Sequence, residues 1–358
     1  MKKLPNSFKS GIVLMSLFLF FALLLSSCFS TRGTSLEVLV PAEISLPQHV
    51  KKVAVANRSL PAKGEGWLNF LEGFVTGETI RGDREGSNNC VNGLIKKLND
   101  SPRFGAVLAT SSELKGTGTR EWPDVLNWTI VDSICRLYNA DALILLETFD
   151  SDVYFNTDKM SYVVKTKTKK DSIVTDFVSD LKINVNAGWR MYDNIDKKLI
   201  DQNSFVDEKA WRTTAKTPQD AMAQLPNKRN ALNASGIYAG NMFGIRISPS
   251  WAYVHRSYFV KGKKDVRFKL AKKLINDDDW EKATAMWSDI SQSTDPVNAG
   301  RAYYNLALAS EMKGDLQQAL TYAKKSLEDY KIKEARYYIN SLNVRIMDQE
   351  KLKEQMGK

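Results

Sequence analysis

Only two histidines, His49 and His255, and three cysteines, Cys28, Cys90 and Cys135, occur in the 358 residues. Neither histidine has a companion cysteine or a Ser-x-Gly elbow, so neither begins a nucleophile–base pair. No HExxH, P-loop or GxSxG is present, and "GTGT" at Gly116 lacks the strand and helix that a phosphate loop needs around it. Asp277, Asp278 and Asp279 are consecutive, whereas a calcium loop needs alternating carboxylates and a distal glutamate; they read as a helix turn. Asp150 and Asp152 follow the most apolar strand. That is the best place for a carboxylate site, because ligands gather at strand C-termini in α/β sheets, but no base or nucleophile accompanies them. The expectation is no catalytic residue, no metal and no cofactor. Cys90 and Cys135 each lie in an apolar helical pattern; a disulfide in an oxidising envelope and two buried thiols both remain open.

Cys28 differs. The chain starts with Met1, Lys2, Lys3 and then Lys9, with no acid before Glu37. From Gly11 to Leu25 only Gly11 and Ser16 fall outside the apolar set. This run is shorter than the roughly 20 residues of a spanning helix and fits the apolar region of a signal peptide. Leu25-Ser26-Ser27-Cys28 resembles the lipobox of bacterial lipoproteins. The resemblance implies cleavage before Cys28, a thioether-linked diacylglyceryl group on its sulfur and acylation of the freed amine. Small side chains at Ser26 and Ser27 are what the peptidase requires. Two or more acyl chains anchor a protein stably, and one does so only marginally. No aspartate follows the cysteine directly, and Arg32 precedes the first acid. The implied location is the outer membrane, facing the periplasm.

Among the elements that follow, Val53 to Ala56 and Ala142 to Leu146 are continuous apolar runs, read as buried strands. Val91, Leu94, Ile95 and Leu98 mark one helix face, and Ile130, Ile134 and Leu137 another. Phe104 to Ala109 reads as a strand. Trp67, Phe70, Leu71, Phe74 and Val75 have helical spacing interrupted by glycines. Leu181, Ile183, Val185, Ala187, Trp189 and Met191 alternate with Lys182 to Tyr192, the mark of a half-buried strand. Thr217-Pro218 opens a helix as N-cap and N1. Beyond Pro226, a helix over 227–245 carries small residues suited to close packing on a sheet.

From residue 263 only helical patterns remain. Ala283 and Ala319 each begin the second helix of a pair after an acidic turn, a spacing close to the 34 residues of the tetratricopeptide repeat, which this part resembles. The resemblance assigns packing roles to Leu270, Ala271, Ala283, Trp287 and the closing Pro296 in the first unit. In the second it assigns them to Tyr303, Leu306, Ala307, the turn at Gly314, and Ala319. A last helix covers the exposed end.

The order of features over 50–247 is similar to the α/β domain shared by the curli-secretion lipoprotein CsgG, the synthase activator LpoB and the amino-terminal part of TolB. Ala140-Asp141-Ala142-Leu143 matches their strand opening. Asp193-Asn194-Ile195-Asp196-Lys197 matches a late turn, with lysine in place of glycine. The pore-forming habit of CsgG is not implied, because Lys165, Lys167, Lys169 and Lys170 occupy the corresponding hairpin.

The expected fold class is α+β: an N-terminal three-layer-type α/β domain with a mixed sheet, then an all-α tetratricopeptide-like domain. The expected divisions are a signal peptide (1–27), a lipid-anchored tether (28–48), the α/β domain with a long antiparallel hairpin (49–247), a linker (248–262) and the helical repeats (263–358). The net charge is +10 and 43% of residues are hydrophobic. With no dense Lys/Arg cluster interleaved with aromatics, nucleic acid is not an expected partner, and no small-molecule substrate is evident. The expected partners are the membrane, through the anchor, and another envelope protein. The reading is a non-enzymatic scaffold or accessory subunit; the alternative is an envelope hydrolase or glycan-binding enzyme.

Overall fold

The computed structural model describes residues 30–60, 77–110, 114–117, 120–165 and 171–357. The signal-peptide assignments, including Leu25, Ser26, Ser27 and Cys28, lie outside them. So do the helical spacing around Trp67 to Val75 and the hairpin lysines 167, 169 and 170. The chain forms two compact units, one of Leu39–Ala252 with Gln349–Lys358, the other of Tyr253–Asp348 with the chain up to Val38.

The first unit is sheet-rich. Its strands are β2 (Lys52–Asn57), β3 (Gly105–Leu108), β4 (Ala142–Lys165), β5 (Asp171–Asp193) and β6 (Lys198–Ala215), in the order β3-β2-β4-β5-β6. The β2 strand runs parallel to β3 and β4, while β4, β5 and β6 are antiparallel. Helices α1 (Gly77–Asn99) and α4 (Lys228–Ile247) cover one face; Leu94, Leu98, Ala239 and Phe243 pack there with Val53, Ile144 and Trp189. Helix α2 (Trp128–Tyr138) covers the other face through Val131, Ile134 and Cys135, packed with Ala54, Leu143 and Tyr192. The apolar face of α2 is therefore turned from the expected one: Ile134 is buried, while Ile130 and Leu137 are exposed. Cys90 belongs to the first core and Cys135 to the second, and both are free and buried. The sheet separates them, which closes the disulfide question. Helix α3 (Pro218–Ala223) opens as expected on Thr217, whose side chain accepts the Asp220 N–H.

The glycines of α4 face α1, while Ala231 joins the core formed with the sheet. A Cβ on Gly240 would lie 1.9 Å from the Cys90 carbonyl oxygen, and one on Gly236 would lie 2.3 Å from that of Gly86. The two helix backbones touch.

The second unit is helical. It holds α5 (Arg267–Asn276), α6 (Trp280–Ser291), α7 (Pro296–Met312), α8 (Leu316–Glu328) and most of α9 (Ala335–Met356). Three of these helices, α6, α7 and α8, open on an acid: Asp279 accepts the Lys282 N–H, Asp295 those of Val297 and Asn298, and Asp315 that of Gln318. The acidic run 277–279 is thus the helix turn that the sequence suggests. Gly314 takes φ +81°, a conformation glycine adopts without strain.

Three divisions need correction. The tether contains β1 (Thr31–Val40) and the linker contains β7 (Ser250–Phe259), and these pair as a two-stranded sheet. In β1, Leu36 and Val38 are buried and Ser35 and Glu37 exposed, a period-two pattern masked by the neighbouring prolines; β7 is rich in the aromatic and β-branched residues that favour strands. The helical division does not run to the chain end, because Gln349–Lys358 groups with the sheet-rich unit. There the Gln355 amide accepts from the Ala42 N–H (2.9 Å) and donates to its carbonyl (3.0 Å).

Candidate functional site

In the sheet-rich unit the chain order reverses between β2 and β4, the crevice where open α/β sheets bind ligands. Here it holds charge. Glu147 is the extra residue of a β-bulge between Leu146 and Thr148 and is fully buried. The Arg58 guanidinium donates to it at 3.2 Å, that of Arg190 at 3.1 Å, and the Tyr192 hydroxyl at 3.4 Å. Burial raises the Glu147 carboxyl above its ordinary range, against the two guanidiniums that lower it. Other guanidinium donors hold neighbouring groups: Arg58 donates to the loop carbonyls of Lys115 and Asp124, and Arg190 to the Pro123 carbonyl and the Gln202 side-chain oxygen. Trp122 lies over Arg190 and against Gly188, where no side chain would fit. The crevice is filled from within.

Asp150 and Asp152 lie just beyond, and both accept from Arg120, at 2.6 and 3.1 Å. At the other end of β5, Asp193 is buried and accepts from His49 Nε2 (2.9 Å) and from the N–H groups of Ile195 and Asp196. His49, Asp193 and Asp196 form one group with metal-ligand spacing among the described residues. One oxygen of Asp193 is committed to the turn, and Asp196 pairs with Lys198 at 2.9 Å. Asp141 accepts the N–H groups of Lys51 and Lys52. Both motif aspartates, Asp141 and Asp193, therefore hold backbone.

In the helical unit, buried Glu311 accepts from Arg256 (2.8 Å), Arg345 (2.7 Å) and the Tyr338 hydroxyl (2.6 Å). Burial opposes its ionisation, but these three donors outweigh it and hold the carboxyl below its usual range. Two buried asparagines of α7, one heptad apart, grip an extended main chain. Asn305 bonds the N–H and C=O of Phe259 (2.7 and 2.8 Å), and Asn298 those of Lys263 (2.7 and 3.0 Å). Sequence reasoning missed Glu147, Glu311 and the two asparagines. The available signals were buried-type helix positions occupied by asparagine and a lone acid ending the apolar run of β4.

Of the packing residues expected here, Ala271, Ala283, Trp287, Ala307 and Ala319 are fully buried, and Tyr303 and Leu306 nearly so. Pro296 stands at the first turn of α7. Tyr303 stacks on Tyr330 at 5.5 Å. Leu270 is a correction: it is 44% exposed. The buried face of α5 runs through Phe268 and Ala271, which turns Leu270 outward.

The remaining candidate is a surface. Beyond Phe177, where pairing with β6 ends, β4 and β5 continue as a two-stranded ribbon to the pair Lys165–Asp171. Val163 and Ile173 face each other across it, 61% and 75% exposed. Met160, Tyr162 and Val164 are exposed there too. An isolated two-stranded hairpin is at best marginally stable in water, and exposed apolar patches mark interaction sites.

The helical part matches a second family, described as Domain of unknown function (DUF6340), over residues 269–344. No curated protein matches the sequence. Solved structures similar to it include two PelC dodecamers from Paraburkholderia phytofirmans, at 11% and 10% identity. They cover 60% of this chain and 100% and 98% of theirs, both with a TM-score of 0.21. Another is a neuraminyllactose-binding hemagglutinin homologue from Helicobacter pylori, at 10% identity and a TM-score of 0.23, covering 57% of this chain and 87% of that one. Over residues 50–259, more than half its length, the chain matches and belongs to the family described as Domain of unknown function (DUF8603).

Proposed function

We propose that this is a lipid-anchored cell-envelope protein, held in the outer membrane by acylated Cys28 and facing the periplasm. It acts without catalysis, as a scaffold or accessory subunit for another envelope protein. The observation that carries this reading is the β4–β5 ribbon, an arm with exposed apolar side chains and, among the described residues, no third strand beyond Phe177. The buried carboxylates Glu147 and Glu311 support it, since both are spent on internal arginines. In this reading the helices form two tetratricopeptide-type units with α9 as a cap, and the α/β part is a CsgG/LpoB/TolB-like domain.

A photo-crosslinker at Val163 tests the scaffold role. A discrete adduct with one other envelope protein is expected, lost in Ile173→Asp; adducts with no protein would sink it. Mass spectrometry of the mature N-terminus should find an acylated Cys28, and an unmodified cysteine or cleavage elsewhere would remove the anchor. Protease added to intact cells should spare the protein and digest it after outer-membrane permeabilisation. Digestion in intact cells would place it on the surface.

The repeat assignment makes its own demand. Ala319 is fully buried, so Ala319→Trp is expected to cost about 1–3 kcal/mol by overpacking. An unchanged unfolding transition of the helical unit would show that the two helices do not cross closely there.

A further inference from the structure

The place where the chain enters the helical unit lies beside a basic and apolar stripe. The Ser30 carbonyl accepts the Val260 N–H at 2.8 Å, and Arg32 donates to Asn276 at the end of α5 (3.0 Å). Cys28 is two residues before Ser30, a reach of at most about 7 Å. From Val260 the chain passes directly into Lys261, Gly262, Lys263 and Lys264, and then into α5. The N-cap Val266, in helical backbone conformation, and Lys269, Leu270 and Lys273 of that helix are spaced i, i+3, i+4, i+7 and so share one face. All four are exposed, Val266 to 66%.

Such a face, two apolar side chains among lysines, complements an anionic headgroup layer, which attracts basic residues at its surface. Lys263 and Arg267 are neutralised by Asp295 and Asp265. Lys261, Lys264, Lys269 and Lys273 make no ion pair among the described residues. Asp277 and Asp278 stand exposed past the far end of α5 and limit the basic surface to the loop and the first turns.

We infer that Lys261, Lys264 and Lys269, with Val266 and Leu270, form a membrane-contact surface that lies against the anionic phospholipid headgroups of the leaflet holding the acyl chains. The inference rests on the lipoprotein reading above. Leu270, 44% exposed, thereby gains an apolar environment for its uncovered part. The acyl chains hold the protein to the bilayer, and the stripe sets which side of the helical unit meets it.

The test uses the lipidated protein, purified from membranes and returned to vesicles of phosphatidylcholine alone or of phosphatidylcholine mixed with phosphatidylglycerol. Lysine acetylation is followed residue by residue by mass spectrometry. Lys261, Lys264 and Lys269 should react about five-fold more slowly on the anionic vesicles, and high salt should abolish the difference. The double variant Lys264→Glu, Lys269→Glu should remain vesicle-bound and lose the protection of Lys261. Equal rates on both vesicles, with the protein bound to both, would overturn the surface while leaving the anchor intact. Failure to bind neutral vesicles would overturn the anchor and this proposal with it.

Discussion

Glu147→Gln is expected to destabilise the sheet-rich unit by about 3–5 kcal/mol, the usual cost of removing one member of a buried ion cluster. The carboxylate is fully buried and receives Arg58, Arg190 and Tyr192. Its neutral replacement leaves two guanidiniums buried without a counter-charge. Neither can leave easily, because Arg58 also holds the carbonyls of Lys115 and Asp124, and Arg190 that of Pro123. Urea unfolding of the sheet-rich unit provides the measurement. A loss below about 1 kcal/mol, the range of an exposed pair, would mean that water reaches the cluster.

Gly240→Leu is expected to cost at least about 3 kcal/mol, beyond the common range for overpacking, because its Cβ meets backbone and not a movable side chain. That atom would sit 1.9 Å from the Cys90 carbonyl oxygen and 2.8 Å from the Leu94 nitrogen. Helices α1 and α4 must separate to admit it, opening the core that holds Phe243 and Trp189, whose rings stack at 4.6 Å. Gly105→Ala is the control: its Cβ would meet nothing closer than the Lys52 side chain at 3.9 Å, so a change within about 0.5 kcal/mol is expected. Equal effects at the two sites would refute the close helix contact.

Local patterns were sufficient for the elements whose faces they encode. The alternation from Leu181 to Met191 lies within β5, and the runs at Val53 and Ala142 became parallel neighbours. The N-cap at Thr217 and the acidic turn at Asp279 were legible for the same reason, since a cap needs only a short side chain at one position. Partners across long separations were not legible. In β1 the alternation of Leu36 and Val38 does not reveal a strand 220 residues later, where His255 meets Ser35. The Glu147 cluster draws on Arg58 just past β2, on β4 and on β5, and its acid reads in sequence as the end of an apolar run. On α5, one step in helical phase separates buried Ala271 from exposed Leu270, and the repeat resemblance placed both inside.

The pairing of β1 with β7 also has a kinetic side. The sheet-rich unit is an insertion within the helical one, so the first strand to be synthesised must wait, unpaired, until the whole insertion has emerged. The sheet-rich unit has a delay of its own, because Ala42 finds Gln355 only across 313 residues, at the very end of the chain. Both closures carry high contact order, which slows folding. In the exported-lipoprotein reading proposed above, a chain threaded N-terminus first would expose β1 throughout its passage, and a periplasmic holding chaperone would have its longest engagement with that strand.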